Sequence, residues 1–145
     1  MLQFYILFEK VITMKEILVG TELNCEMTVT EDDLASRWGS GKACVYATPC
    51  MIAFMELTST KLIDQFLEND EITVGTMVNI RHLKSSPVGA KIRCHAKIIK
   101  VSGKSITLEV NCYMNDNVLI GTGTHGRFIV EKNNFEKKCY ENKEK

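Results

Sequence analysis

Four consecutive stretches of this chain alternate apolar and polar residues with period two, and a single long apolar segment precedes them. A period of two is the repeat of a strand with one buried face. The stretches therefore predict strands over Thr73–Leu83, Lys91–Val101, Ser105–Asn115 and Val118–Val130. In the first, Val74, Val78, Ile80 and His82 share a face; in the second, Ile92, Cys94, Ala96 and Ile98; in the third, Ile106, Leu108, Val110, Cys112 and Met114. Ser102-Gly103-Lys104 and Asn115-Asp116-Asn117 read as hairpin turns, which oblige the last three strands to pair antiparallel.

The apolar segment opens at Thr48-Pro49 and runs to about Leu67, where Glu68-Asn69-Asp70 stops it. Thr is a good helix N-cap and Pro is favoured in the first turn, so the segment predicts the one long helix. Upstream, Leu18–Thr30 reads as a strand, Glu31–Ser36 as a polar turn or short helix, Trp38–Lys42 as a loop and Cys44–Tyr46 as a short extended piece. Strand, helix, then four strands predicts an α+β domain: an antiparallel sheet wrapped around one long central helix, the element order of the hot-dog fold. Such a sheet leaves edges exposed, so a homodimer formed by edge pairing is expected, with higher assembly left open.

With 145 residues, the chain suffices for one domain with a real core. We expect residues 1–13 to lie outside that core, 14–131 to form the domain, and 132–145 to be a frayed polar tail. Acidic and basic residues balance at 18 each, so no basic surplus points to nucleic acid. The hydrophobic start, Met1 to Phe8, lacks a basic leader and a cleavage site and is too short to span a bilayer. Of the six cysteines, Cys25, Cys94 and Cys112 occupy apolar strand positions, and Cys44 and Cys50 flank the strand-to-helix junction. No CxxC pair and no zinc spacing occurs, which suggests reduced thiols and a cytoplasmic protein without membrane contact.

Glu56 stands in the run Cys50-Met51-Ile52-Ala53-Phe54-Met55-Glu56-Leu57, a helix apolar on nearly every side and so expected to be buried. An unpaired carboxylate there costs several kcal/mol or shifts its pKa, so Glu56 either has a structural partner, a backbone donor or a cation, or does chemistry. His82 ends the apolar face of its strand and reads as a core histidine or as a general acid–base. Thr48 reads as a helix cap, or as a hydroxyl placed where helix N–H groups stabilise negative charge. Gly75 interrupts a strand, the mark of a bulge or of close approach by a ligand. The Gly121–Gly126 run lies inside the last strand with no helix after it, so it is not a nucleotide loop. His125 and Arg127 fall on the face opposite Phe128 and Val130, which predicts an interfacial or solvent-facing position.

Taken together, Val45-Tyr46-Ala47-Thr48-Pro49, Met55-Glu56, Gly75-Thr76, Arg81-His82, Pro87-Val88-Gly89 and Gly123-Thr124-His125-Gly126-Arg127 resemble the hot-dog thioesterases typified by fluoroacetyl-CoA thioesterase. The likeness covers about Met14 to Glu131. It implies a catalytic set of Thr48, Glu56 and His82, an active-site glycine at Gly75, and a homodimer that hydrolyses acyl-CoA thioesters without a metal or redox cofactor. One element departs: where the fluoroacetyl-specific enzyme has lid phenylalanines, this chain reads Gly39-Ser40-Gly41-Lys42-Ala43, with Trp38 the nearest aromatic. A hydrolase of short or medium acyl chains is therefore the expectation. The alternatives are a non-catalytic acyl-CoA binding protein and a hot-dog hydratase or dehydratase; the latter usually carries a different His motif on the central helix.

On these residues, Glu56 attacks the thioester or activates water, His82 moves the proton, and Thr48 orients the carboxylate or is itself the nucleophile. A continuous helix from 48 to 56 separates Thr48 and Glu56 by about 12 Å of rise. Unless the helix starts later, their meeting requires a second subunit, so a composite site at a dimer interface is expected.

Overall fold

The computed structural model describes residues 16–143; the extension expected at 1–13 lies outside them. The chain runs β1 (Glu22–Thr28), a 3-10 turn (Glu31–Asp33), α1 (Ala35–Trp38), α2 (Thr48–Asp64), β2 (Glu71–His82), β3 (Lys91–Ser102), β4 (Ser105–Met114), β5 (Val118–Glu131) and α3 (Lys132–Lys143). The five strands form one antiparallel sheet in the order β1-β3-β4-β5-β2. The α+β hot-dog architecture expected from the sequence is present.

The sheet curls because three residues fall out of register. Thr76 is the extra residue of β2 against β5, Ile99 of β3 against β4, and Ile120 of β5 against β4. Each bulge sharpens the local twist, and together they bend the sheet around α2. Each also inverts which residues face inward beyond it. Hence Val74 does not share a face with Val78, Ile80 and His82 as the alternation suggested. The bulge at Thr76 places Thr73 and Gly75 on that face instead, opposite Ile129 and Arg127.

One stripe of α2 packs on the concave face of the sheet: Met51, Phe54, Met55, Thr58, Ser59, Leu62 and Ile63. This i, i+3, i+4 spacing is the pattern of a one-sided helix. Each large apolar side chain buried there contributes about 1.5–3 kcal/mol. The hydroxyls of Thr58 and Ser59 donate to Phe54 O (2.9 Å) and Met55 O (2.8 Å), so no polar group in the stripe is left unpaired. The sheet answers with Ile92, Cys94, Ala96 and Ile98 of β3 and Ile106, Leu108, Val110 and Cys112 of β4, all buried. Gly121 admits the helix: a Cβ there would run into the thioether of Met51.

The helix is not apolar and buried all round, as its composition suggested. Ala53 and Leu57 are exposed, Leu57 at 47%. All six cysteines are unpaired thiols, with Cys25, Cys94 and Cys112 side by side on β1, β3 and β4. From Lys132 to Lys143 the polar tail is also not frayed. Lys132–Lys143 is helical, and the Glu131 carboxylate accepts hydrogen bonds from the N–H groups of Asn133 (3.2 Å) and Asn134 (2.7 Å). A Lys132–Glu136 ion pair at 3.2 Å adds to it. Among the described residues, no helix is long and apolar enough to cross a membrane.

Candidate active site

The N-cap of α2 is Ala47, in extended conformation, and Thr48 is already the first helical residue. Thr48 therefore does not cap the helix as predicted. Its hydroxyl is free for another partner, and β2 supplies one: Thr48 Oγ1 and His82 Nδ1 are 2.8 Å apart. His82 is the last residue of β2, level with Gly121 on β5, so the sheet delivers its ring to the first turn of α2. This is nucleophile-to-base distance, at a helix end whose N–H groups favour negative charge. His82 Nε2 is buried and has no hydrogen-bond partner among the described residues. Burial lowers the His82 pKa, with the Lys84 backbone pulling the other way. A cavity of about 270 Å³ adjoins the pair, lined by Ala35, Ser40, Val45, Thr48, His82 and Leu83 among others.

Glu56 is two helical turns away. Since α2 is continuous from Thr48, the rise between the two residues is about 12 Å. Its side chain is 42% exposed, not buried, and it has a cation: Arg127 Nη1 lies 3.4 Å from Glu56 Oε2. The unexplained charge of the sequence is thus half of an ion pair, and its partner is Arg127 rather than His82.

Arg127 and His125 overturn the expectation of an interfacial or solvent-facing position. They are 7% and 1% exposed and face the helix. Beyond the bulge at Ile120, the inward residues of β5 are Gly121, Gly123, His125, Arg127 and Ile129, the first four level with Cys112, Val110, Leu108 and Ile106 of β4. Arg127 Nε donates to Thr73 Oγ1 at 2.7 Å, Nη2 to Thr73 O at 2.9 Å, and Nη1 to His125 Nε2 at 3.1 Å. Gly75 closes this group. A Cβ at Gly75 would stand 3.1 Å from Glu56 Oε2 and 3.5 Å from both Arg127 Nη1 and His125 Cε1. The Gly75 backbone thus comes close to the carboxylate, the approach a glycine permits.

Within one protomer there are therefore two groups, Thr48–His82 at the start of α2 and Glu56–Arg127–His125–Gly75 further along it. Thr48 and His82 are joined; Glu56 is not joined to either. A larger hollow of about 400 Å³ lies at the β1–β3 edge among Glu26, Thr28, Lys91, Arg93 and Asp116, and none of the four predicted site residues lines it.

The sequence profile of the fluoroacetyl-CoA-specific thioesterase family matches residues 29–133. A fluoroacetyl-CoA thioesterase from Streptantibioticus cattleyicolor is 30% identical to this chain over 95 residues, 65% of this chain and 67% of that one. A solved thioesterase superfamily member from Thermus thermophilus superposes with a TM-score of 0.83 at 33% identity, covering 90% of this chain and 96% of that one. A hot-dog-like protein from Thermanaerovibrio acidaminovorans superposes with a TM-score of 0.77 at 18% identity, over 86% and 91% of the two chains, a likeness of fold. Profile, relative and fold agree, and the chain belongs to the fluoroacetyl-CoA-specific thioesterase family as a thioester hydrolase built on the hot-dog fold.

Proposed function

We propose that the substrate is a short or medium acyl-CoA, and that Thr48 and His82 of one protomer work with Glu56 and Gly75 of a second copy. The observation that carries this reading is the 2.8 Å bond between Thr48 Oγ1 and His82 Nδ1, set against about 12 Å of helix between Thr48 and Glu56. In this reading His82 Nδ1 takes the proton of Thr48 as Oγ1 attacks the thioester carbonyl. The N–H groups of the first turn of α2 receive the oxyanion. The CoA sulfur leaves with the proton from His82. Glu56 then takes a proton from water as the water oxygen attacks the acyl carbon; the bond to Thr48 Oγ1 breaks, that proton returns to Oγ1 by way of His82, and the acid is released, while Gly75 lets the acyl carbonyl approach the backbone. No metal or redox cofactor enters these steps.

Two further features support the reading. β2 is a sheet edge whose middle, Thr76 to Asn79, is exposed, and α2 exposes Ala53 and Leu57 beside Glu56. Both suit a homodimer that joins through this side. At the loop where the fluoroacetyl-specific enzyme has its lid, Gly39 to Ala43 leave only Trp38 nearby, itself 61% exposed and tied by Nε1 to Asp32 O at 2.6 Å. That favours a general acyl group over a fluorinated one.

The test is release of CoA from acyl-CoAs of increasing chain length, read with a thiol reagent. Release that disappears in Glu56→Ala and in His82→Ala is expected; binding without release from any chain sinks the proposed chemistry. The composite site is tested by mixing Thr48→Ala with Glu56→Ala protomers. Mixed dimers regain one intact site only if the residues act across subunits, and a mixture as inactive as its parents places the site in a single chain.

A further inference from the structure

His125 is a buried titratable group that the steps above do not use, and its two ring nitrogens leave it no freedom of protonation. Nδ1 faces the carbonyl of Met77 at 2.8 Å. A carbonyl only accepts, so Nδ1 must carry the hydrogen. Nε2 faces Nη1 of Arg127 at 3.1 Å. A guanidinium only donates, so Nε2 must be the bare acceptor. Met77 on the edge strand and Arg127 two residues along β5 thus fix the neutral Nδ1–H tautomer between them.

That tautomer determines what Arg127 can do. Nε and Nη2 are both taken up by Thr73, which holds one side of the guanidinium. Nη1 has two hydrogens, and it has two acceptors, His125 Nε2 at 3.1 Å and Glu56 Oε2 at 3.4 Å. With His125 taking one, the other is left for the carboxylate. Because the fork is planar, fixing Nε, Nη2 and one Nη1 hydrogen fixes the direction of the last.

We propose that His125 is a positioning residue for Glu56: in its neutral Nδ1–H form it sets the plane of the Arg127 guanidinium and so fixes where the Glu56 carboxylate stands. The inference rests on the reading of Glu56 as the working carboxylate. The charged groups facing His125 are Arg127 from β5 and Glu56 from α2; its cross-strand neighbours, Leu108 on β4 and Val78 on β2, do not titrate. Protonating Nε2 would set an imidazolium against the guanidinium and release Nη1 from its acceptor. Burial and the nearby Arg127 oppose that protonation, while the Met77 backbone and Glu56 favour it.

Measurements on the full chain test this. Nitrogen-15 NMR of the imidazoles, with His125 assigned by its loss in His125→Gln, is expected to find Nδ1 protonated and Nε2 bare at neutral pH; a protonated Nε2 overturns the inference. His125→Phe keeps the bulk but offers Arg127 no acceptor, and kcat is expected to fall about 10- to 100-fold with KM within about threefold. His125→Gln can return an acceptor to Arg127 without titrating. It is expected to restore most of kcat. Wild-type kcat in His125→Phe, or no rescue by a folded His125→Gln, overturns the proposal. Glu56→Gln separates the two failures: if it is inactive while His125→Phe is fully active, the inference alone falls. If Glu56→Gln keeps full activity, the reading of Glu56 falls and takes the inference with it.

Discussion

Thr48 and His82 stand 34 residues apart in the chain and within one hydrogen bond of each other, Oγ1 to Nδ1 at 2.8 Å. The pairing follows from two features of the fold: α2 is capped by a residue whose side chain takes no part, and β2 ends level with its first turn. The Thr48 hydroxyl therefore has no structural duty to the helix.

This separates stability from activity at Thr48. Thr48→Ala is expected to lower the free energy of unfolding by no more than about 1 kcal/mol, since no cap is lost and only the hydrogen bond with His82 goes. It is expected to lower kcat by at least about 100-fold, the scale of a lost nucleophile or proton-transfer partner. Thr48→Ser keeps the hydroxyl and should retain much of the activity. Urea unfolding and steady-state rates measure the two quantities, and a destabilised but fully active Thr48→Ala would return Thr48 to a structural role.

The histidines set the pH response. Burial lowers the pKa of both His82 and His125. Below the ordinary histidine value of about 6.5, the unfolded chain takes up protons that the folded chain still refuses. Stability is therefore full above that value and declines as pH falls from it toward the lowered values. Thermal melts between about pH 8 and pH 5 should give a falling Tm on the acid side, with a smaller fall in His125→Gln. The rate kcat/KM should fall in the same direction, because a protonated His82 cannot accept the Thr48 proton. A Tm that rises on acidification contradicts the direction of both shifts.

Gly75→Ala isolates the approach to the carboxylate. The new Cβ meets Glu56 Oε2 at 3.1 Å, the movable end of a half-exposed side chain, so the fold can yield. The expected cost in stability is under about 1 kcal/mol. Displacing Glu56 should still lower kcat by about tenfold or more. Equal activity in Gly75→Ala removes Gly75 from the site.

The thiols offer a check on packing. Six are expected to react with an aromatic disulfide reagent in denaturant without prior reduction. In the folded protein Cys44 and Cys139, both exposed, should react first, and Cys94 and Cys112 only on unfolding. Fewer than six in denaturant would mean a disulfide.

Where the sequence was legible, an unbroken local signal existed. Ile92 to Ile98 and Ile106 to Cys112 alternate cleanly, and that pattern alone gives these strands and their faces. Thr48, His82 and Glu56 stood out because polar groups at apolar positions demand a reason, and the 12 Å argument for a separated Glu56 needed only helix geometry. The faces that differ do so for two reasons. A bulge is a single residue without a signature in composition, and Thr76 reverses the faces of β2 beyond it, so Val74 falls on the outer face. On β5 the apolar Phe128 and Val130 point to the buried face, yet Phe128 is 39% exposed and the inward residues are His125 and Arg127, which hides the partner of Glu56. One clue was available: a strand with Gly121, Gly123 and Gly126 carries too few side chains on either face for Phe128 and Val130 to decide which is buried. The tail differs from its sequence expectation for another reason. Its polar composition promised no packing, and the Glu131 carboxylate that holds its first turn lies just before it.

Leu57 follows Glu56 directly on α2, and its exposed side chain belongs to the surface proposed to meet a second copy. Contact and chemistry would then be adjacent residues of one helix, inseparable by any small structural change. A protein arranged this way is governed by its own concentration. Diluted below the point where copies stay together, it should lose specific activity in proportion to the loss of pairs, with every side chain of the single chain still in place.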